Sequence, residues 1–361
     1  MLGLGVSALL AAGVVCLTSG CADVGYLAQS VQGHLKILGA AKPVQRWIDD
    51  DSQPEALRER LVLSQRMRDF AVRELHLPDN RSYRAYADLK RPYAVWNVAA
   101  APELSLKLRT WCFPVMGCVG YRGYFQQQQA DAFAQSLQGP GVEVAVYGVP
   151  AYSTLGWSEW LGGDPLLSSF IGYPQGELAR MIFHELAHQV AYANDDTMFN
   201  ESFATSVERL GAKAWLDAQA TPQARDEFAK LEQRRTAFRS LTRRYREQLD
   251  ALYRSSASID AKRRAKAALI AALKADYADL KSRAWGGFGG YDAWMSHVNN
   301  ASLGMLAAYD ELTPQFDALF EREGRDYERF YTAVRVLSRL PKDERRARLA
   351  TPTPQLALEK H

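Results

Sequence analysis

Residues 183–189 read Phe183-His184-Glu185-Leu186-Ala187-His188-Gln189, and the rest of the chain is placed by how this stretch folds. Met181, Ile182, Phe183, Leu186, Ala187 and Val190 put apolar side chains most of the way round, which predicts a helix buried on most sides. Positions four apart on a helix share one face, about 5–6 Å apart at Cβ. His184 and His188 can therefore point their imidazoles at one metal ion. Glu185, one residue on, projects about 100° around the helix, toward a water activated by the metal rather than toward the metal. Two histidines and a carboxylate on a buried helix are costly unless satisfied, and ligation would satisfy them. The alternative is a helix whose histidines make ordinary hydrogen bonds.

The second element is Phe199-Asn200-Glu201-Ser202-Phe203-Ala204-Thr205, separated from His188 to Glu201 by twelve intervening residues. Asn194-Asp195-Asp196 within that interval predicts a turn into a second helix. Glu201 near its start would be the third protein ligand, with a fourth position open for water or substrate. Two His and one Glu with an open position is the arrangement of catalytic rather than structural zinc. The expected cofactor is one Zn²⁺ per chain, although another divalent ion would suit the same donors. Glu208, with nineteen residues between it and His188, competes for the third position and lies two turns beyond Glu201 on roughly the same face.

Around these two helices the pattern predicts an α+β chain, mainly helical. Helical stretches are expected from residue 22 to about Asp50, with a stripe of Leu27, Val31, Leu35 and Leu38, and over Pro54–Leu75. Tyr93–Val98, Gly120–Phe125 and Val142–Val149 are short, aromatic or β-branched and read as strands of a small mixed sheet, with a helix over Gln126–Gln138. Pro222–Tyr253 and Asp260–Arg283 read as a long helical hairpin whose alternating charges form a solvated face. Ala293–Leu312 and Tyr327–Ser338 return to helix, and the tail after Pro341 is expected to fray. The expected domain organisation is a signal peptide over 1–20 and a single unit over 21–361. Within that unit, 22–174 hold the N-terminal helices and the sheet, 175–215 the metal-binding helices, and 222–340 the hairpin and C-terminal helices.

A chain of 361 residues, 47% hydrophobic and 24% charged, can bury a sizeable core. Its net charge of +3 without a basic block gives no support to nucleic-acid binding. Oligomeric state is not legible. From Met1 to Gly20 the chain carries no charge and ends in Leu17-Thr18-Ser19-Gly20 before Cys21. That segment resembles a bacterial lipobox, which implies cleavage and acylation at Cys21; the alternatives are an uncleaved anchor or a plain signal peptide. Ala22 after the cysteine, by resemblance to Gram-negative lipoproteins, implies an outer-membrane lipoprotein facing the periplasm. Cys112 and Cys118 are then expected as a short-loop disulfide, the alternative being two buried thiols.

The motifs resemble those of gluzincin metallopeptidases, whose second motif, Asn-Glu followed by a small residue, an aromatic and Ala, corresponds to Asn200-Glu201-Ser202-Phe203-Ala204. More closely, the chain resembles the bacterial putative aminopeptidase family of predicted lipoproteins. The resemblance runs through RPYAVWNVAAAPE, WCFPVMGCVGYRGYF, AYSTLGW, IFHELAHQ and FNESFATSVE, between about Tyr26 and Arg339. It implies a zincin-like fold, with the small sheet packed on the active-site helix and the hairpin C-terminal to it. It also implies hydrolysis of a peptide substrate by a metal-activated water. Gluzincins usually place their ligand Glu at about the interval that separates His188 from Glu208, so the twelve-residue spacing is a departure; the Asn-Glu context favours Glu201. Thr205 and Glu208 then become candidates for orienting a ligand histidine, the alternative being a polar surface stripe. Glu185 is the expected general base. Tyr309 or His297, in MSHVNNASLGMLAAY, are candidates for the oxyanion donor, against the plainer reading of ordinary core or surface residues. In zincins a sheet edge pairs with extended substrate. Here Val144–Leu155 would provide it, with Tyr152, Ser153 and Thr154 lining the cleft and Arg122 and Tyr124 either nearby or packing around the cysteines. An aminopeptidase would also need carboxylates for the substrate amine, with Glu208 or Glu159 available. The competing reading is a non-catalytic envelope lipoprotein that keeps the fold and acts as a scaffold or chaperone-like binding factor. A structural zinc protein is the third, with only three ligands to name.

Overall fold

The computed structural model describes residues 21–113, 117–152, 163–194 and 196–350. The expected signal segment, Ser153, Thr154 and Glu159 lie outside them. Helix α1 (Cys21–Ala40) is followed by strand β1 (Lys42–Pro43), helix α2 (Val44–Ile48) and helix α3 (Glu55–Arg73). Then come β2 (Ala85–Ala87), β3 (Val95–Pro102), β4 (Trp111–Phe113), β5 (Gly117–Val119), β6 (Arg122–Tyr124), helix α4 (Gln127–Leu137), β7 (Val142–Val149) and β8 (Leu166–Leu167). The rest is helical: α5 (Gln175–Ala187), α6 (Thr197–Gln219), α7 (Pro222–Arg254), α8 (Ile259–Arg283), α9 (Asp292–Ser296), α10 (Asn300–Asp310), α11 (Thr313–Arg322), α12 (Tyr327–Ser338) and α13 (Lys342–Ala350).

The strands form small sheets rather than one. Antiparallel β6-β3-β7 is the largest, with β3 central because its eight residues pair along their whole length with β7. Alternation gives this sheet two different faces. Trp96, Val98 and Tyr124 pack on Ala130 and Ala134 of α4. Ala99 and Ala101 pack on Ala301 and Met305 of α10, with Tyr121, Ala145 and Tyr147 on the same side. Alanine on that face permits the close approach, and Gly304 on the helix admits the segment after β3: a Cβ at Gly304 would lie 2.7 Å from the Leu106 carbonyl oxygen. The second sheet, β1-β2-β8, is mixed, with β2 antiparallel to β1 and parallel to β8. In the β4-β5 hairpin Cys112 lies opposite Cys118, and the two form a disulfide.

Helices α5 and α6 form the centre of the main core, where Phe183, Phe199, Phe203, Val207 and Trp215 are all buried. Their approach is set by Gly211, where a Cβ would come within 2.7 Å of Leu75 and 2.9 Å of Phe183. The α7-α8 hairpin has its own apolar cluster, including Phe238, Leu241, Leu249, Leu273, Tyr277 and Trp285. Among the described residues no helix is long and apolar enough to cross a membrane.

Three expectations need correction. The stretch Ala293–Leu312 is two helices, because Asn299 caps α10 through the Ser302 N–H and Ser302 returns a bond to the Asn299 N–H. The first part of the tail after Pro341, Lys342–Ala350, forms α13, whose Arg345 is buried against Asp196, and residues 351–361 lie outside the described residues. Among the described side chains of α1 the buried positions are Gly33 and Ile37, while Val31 and Leu35 are 60% and 50% exposed, so the Leu27–Leu38 stripe is not the packed face.

Candidate metal centre

The chain between α5 and α6 is fixed by local polar chemistry. Asp196 caps α6 by accepting from the Phe199 N–H. The Asn200 side chain donates to the Ala193 carbonyl and accepts from the Ala193 N–H, both at 2.8 Å. That reciprocal pair closes the turn onto the helix start and so places Glu201, the next residue, opposite α5. Asn200 is therefore a structural clamp, and the Asn-Glu pairing has a physical reason.

His184, His188 and Glu201 converge as a group that could hold a metal ion. The ring Nε2 atoms of His184 and His188 are 3.2 Å apart, and Glu201 Oε2 lies 3.2 Å from the first and 3.6 Å from the second. Tetrahedral ligands at zinc distances of about 2.0–2.1 Å would be separated by roughly 3.3 Å. Two imidazole nitrogens facing each other across a carboxylate oxygen could serve as the donor set of a cation, and the spacing fits one. All three side chains are no more than 12% exposed. Burial would raise the Glu201 carboxyl, but the histidines hold it well below the ordinary carboxylate range.

Glu208 does not join this cluster. Its Oε2 lies 2.9 Å from His184 Nδ1, on the far side of the ring, and its other oxygen pairs with Arg180. Against the upward push of burial, Arg180 and His184 keep the Glu208 carboxyl down at about 2. The ambiguity between the two glutamates thus resolves geometrically: Glu201 faces the group of Nε2 atoms and Glu208 holds one ring from behind. Thr205 is fully buried, and among the described residues no hydrogen bond joins it to either histidine. Glu185 is buried beside both histidines, and burial first, with Glu201 and Asp164 adding to it, raises its carboxyl above the ordinary value. A raised carboxyl suits a group that must both take and return a proton.

Several side chains at this centre carried no motif. Tyr121, Tyr147 and Tyr192 all lie near enough to Glu201 to feel its charge. Burial keeps each hydroxyl protonated, with Tyr192 pushed up to about 12. Tyr147 projects from β7 on the face directed at α10, and its hydroxyl lies 3.5 Å from Asn97 Nδ2 on the paired position of β3. Tyr83 is fully buried near Glu185 and Asp164. Only strand alternation could have pointed to Tyr147; nothing local marks the others.

The remaining candidates lie elsewhere. His297 is exposed at the end of α9, between Met295 and Val298, which belong to the hairpin's cluster. It is not one of the residues of the metal group. Tyr309 is on α10, which packs against α6 and β3, but its side chain lies outside the described residues. Tyr152 bonds His34 Nδ1 on α1 at 2.8 Å and packs edge-on to Phe125; it also senses Asp164. Arg122 stacks over Tyr26 and Phe133, so it serves packing. Tyr124 lies in the core of the α4 face. Cys21 opens α1, and nothing is described of its side chain.

A family model described as "Putative aminopeptidase" matches residues 25–349, so the chain belongs to that family, whose description points to peptidase activity. No curated protein and no solved structure matches the chain.

Proposed function

We propose that this member of the putative aminopeptidase family is a zinc-dependent peptidase with a zincin-like fold, a single catalytic unit anchored by a lipid at Cys21 in the outer membrane and facing the periplasm. The observation that carries the catalytic part is the convergence of His184 Nε2, His188 Nε2 and Glu201 Oε2 at mutual distances of 3.2–3.6 Å, with buried Glu185 beside them. A bound zinc would polarise the scissile carbonyl and lower the pKa of a water toward ~7. Glu185 takes the proton of the attacking water and returns it to the leaving amine. Tyr147 and Tyr121, held un-ionised beside Glu201, are hydroxyl donors for the oxyanion in place of His297. Among the described residues β7 pairs with one strand only, β3, which supports extended binding of a peptide substrate along its other edge, beyond Val144, whose carbonyl accepts from Asn299 Nδ2. An aminopeptidase is the narrower form of this reading and rests on the family's description.

The deciding experiment measures zinc content and peptide hydrolysis together. About one zinc per chain is expected in wild type and in Glu185→Gln, with hydrolysis lost by about 10²–10⁴-fold only in the latter. Glu201→Ala should lose the metal. A wild type that takes up no zinc, or a Glu185→Gln protein with full turnover, refutes the proposal. Metal binding with no turnover on any peptide library would favour the scaffold alternative. Incorporation of labelled palmitate, abolished in Cys21→Ala, tests the anchor.

A further inference from the structure

Behind the metal group lies a chain of charges that the hydrolytic chemistry does not use. On α5, Arg180 stands one turn before His184 and is 5% exposed. One of its terminal nitrogens pairs with Glu208 and the other with Glu232 of α7. Glu232 is also held by Arg235, whose second arm reaches Glu177 on α5 at 2.5 Å. The path from His184 is therefore His184–Glu208–Arg180–Glu232–Arg235–Glu177, which leaves α5 for α6 at Glu208, comes back to α5 at Arg180, crosses to the long hairpin and returns at Glu177. Close packing holds the two helices in this register, because a side chain at Gly176 would collide with Phe228 of α7.

A buried guanidinium is expensive unless its donors are used. Arg180 has carboxylates on both arms, so its planar fork fixes where each of them points. Glu208 in turn has no freedom: one oxygen is committed to Arg180 and the other to His184 Nδ1. A carboxylate fixed in this way orients the imidazole and directs its Nε2 lone pair at the metal group. The hairpin's charge-rich sequence otherwise reads as a solvated face; Glu232 and Arg235 turn inward toward α5, as Lys266 does toward Glu143 of β7.

We infer that Arg180, braced by Glu232 from helix α7, is a positioning residue that holds Glu208 against His184 and thereby sets how tightly the centre keeps its metal. The hairpin is on this account a strut of the metal centre. The inference rests on the zinc reading above.

The test is zinc affinity by chelator competition on the full-length protein, with circular dichroism confirming the fold. Arg180→Met and Glu232→Gln should each weaken zinc binding by roughly 10–100-fold, and Arg180→Lys, which keeps the charge but loses the fork, should recover part of it. Glu232→Gln is the gentler change and serves if Arg180→Met does not fold. Arg263→Ala, which cuts the hairpin's distal pair with Glu103, should leave affinity unchanged. Affinities within twofold of wild type in both Arg180→Met and Glu232→Gln overturn the inference while leaving the zinc reading standing. An Arg263→Ala effect as large as theirs also overturns it, because the loss would then be general to the hairpin. A wild type without zinc overturns both.

Discussion

Asn200 shows how much of the site is decided at single side chains. Its amide exchanges two hydrogen bonds with Ala193, in a place where both residues are buried. Replacing it with Ala strands a backbone N–H and a carbonyl, at a cost of about 1–3 kcal/mol. The expected outcome for Asn200→Ala is a loss of that size in denaturant unfolding together with weakened zinc uptake, since Glu201 follows directly. Tyr147 makes the complementary case for chemistry. If its hydroxyl meets the oxyanion, Tyr147→Phe lowers kcat by roughly 10²–10³ with little change in KM. An unchanged kcat in that variant, with a fall in Tyr121→Phe, would move the role to Tyr121. The pairing of the two histidines in the proposed metal group was legible in the sequence because helical spacing alone puts His184 and His188 together. Glu201 and Glu208 could not be separated that way, being two turns apart on one face; only the side of the His184 ring that each approaches divides them. Arg180 carried a signal, a cation one turn before a ligand, but its two partners come from 28 and 52 residues away in sequence.

At the scale of elements, strands and long helices followed from periodicity, whereas their ends and breaks depended on contacts distant in sequence. The tail is the clearest instance. Lys342–Ala350 is strongly polar and reads as frayed, yet α13 is docked because Arg345 and Arg346 both reach Asp196, the cap of the metal-site helix. Burial works to raise the Asp196 carboxyl, but Arg346, the Phe199 N–H and Arg345 together hold it below the ordinary carboxylate value. A carboxyl depressed in the folded state contributes stability that is present above its unfolded pKa and is lost as pH falls through the folded value. Acidification from pH 4 downward should therefore loosen α13 and the start of α6. In hydrogen exchange, protection of residues 342–350 should fall over that range in wild type. In Asp196→Asn it should be low already at pH 7 and show no further step. Equal protection in the two proteins at pH 7 would remove the ion pairs from the account.

For the molecule as a whole, the apolar clusters say which parts should respond to metal. The α5-α6 pair lies inside the main core, with Phe183, Leu186, Phe199 and Phe203 buried around the ligand residues. The hairpin buries Phe238, Leu249, Leu273 and Tyr277 in a separate cluster. A ligand that binds only the folded centre stabilises it by RT ln(1 + [L]/Kd), about 2.7 kcal/mol at a hundredfold excess over Kd. Zinc should accordingly raise the melting temperature of wild type, and chelation should lower it again. In Glu201→Ala the melting temperature should not respond to zinc at all. The two clusters are joined through Arg180, Glu232 and Gly176, so the hairpin should share the metal's effect. Exchange at Phe238–Leu249 should slow when zinc is added to wild type, and respond little in Glu232→Gln even at zinc concentrations that saturate it. Slowing confined to α5 and α6 in both proteins would mean that the hairpin unfolds on its own, and that the strut does not carry stability across the molecule.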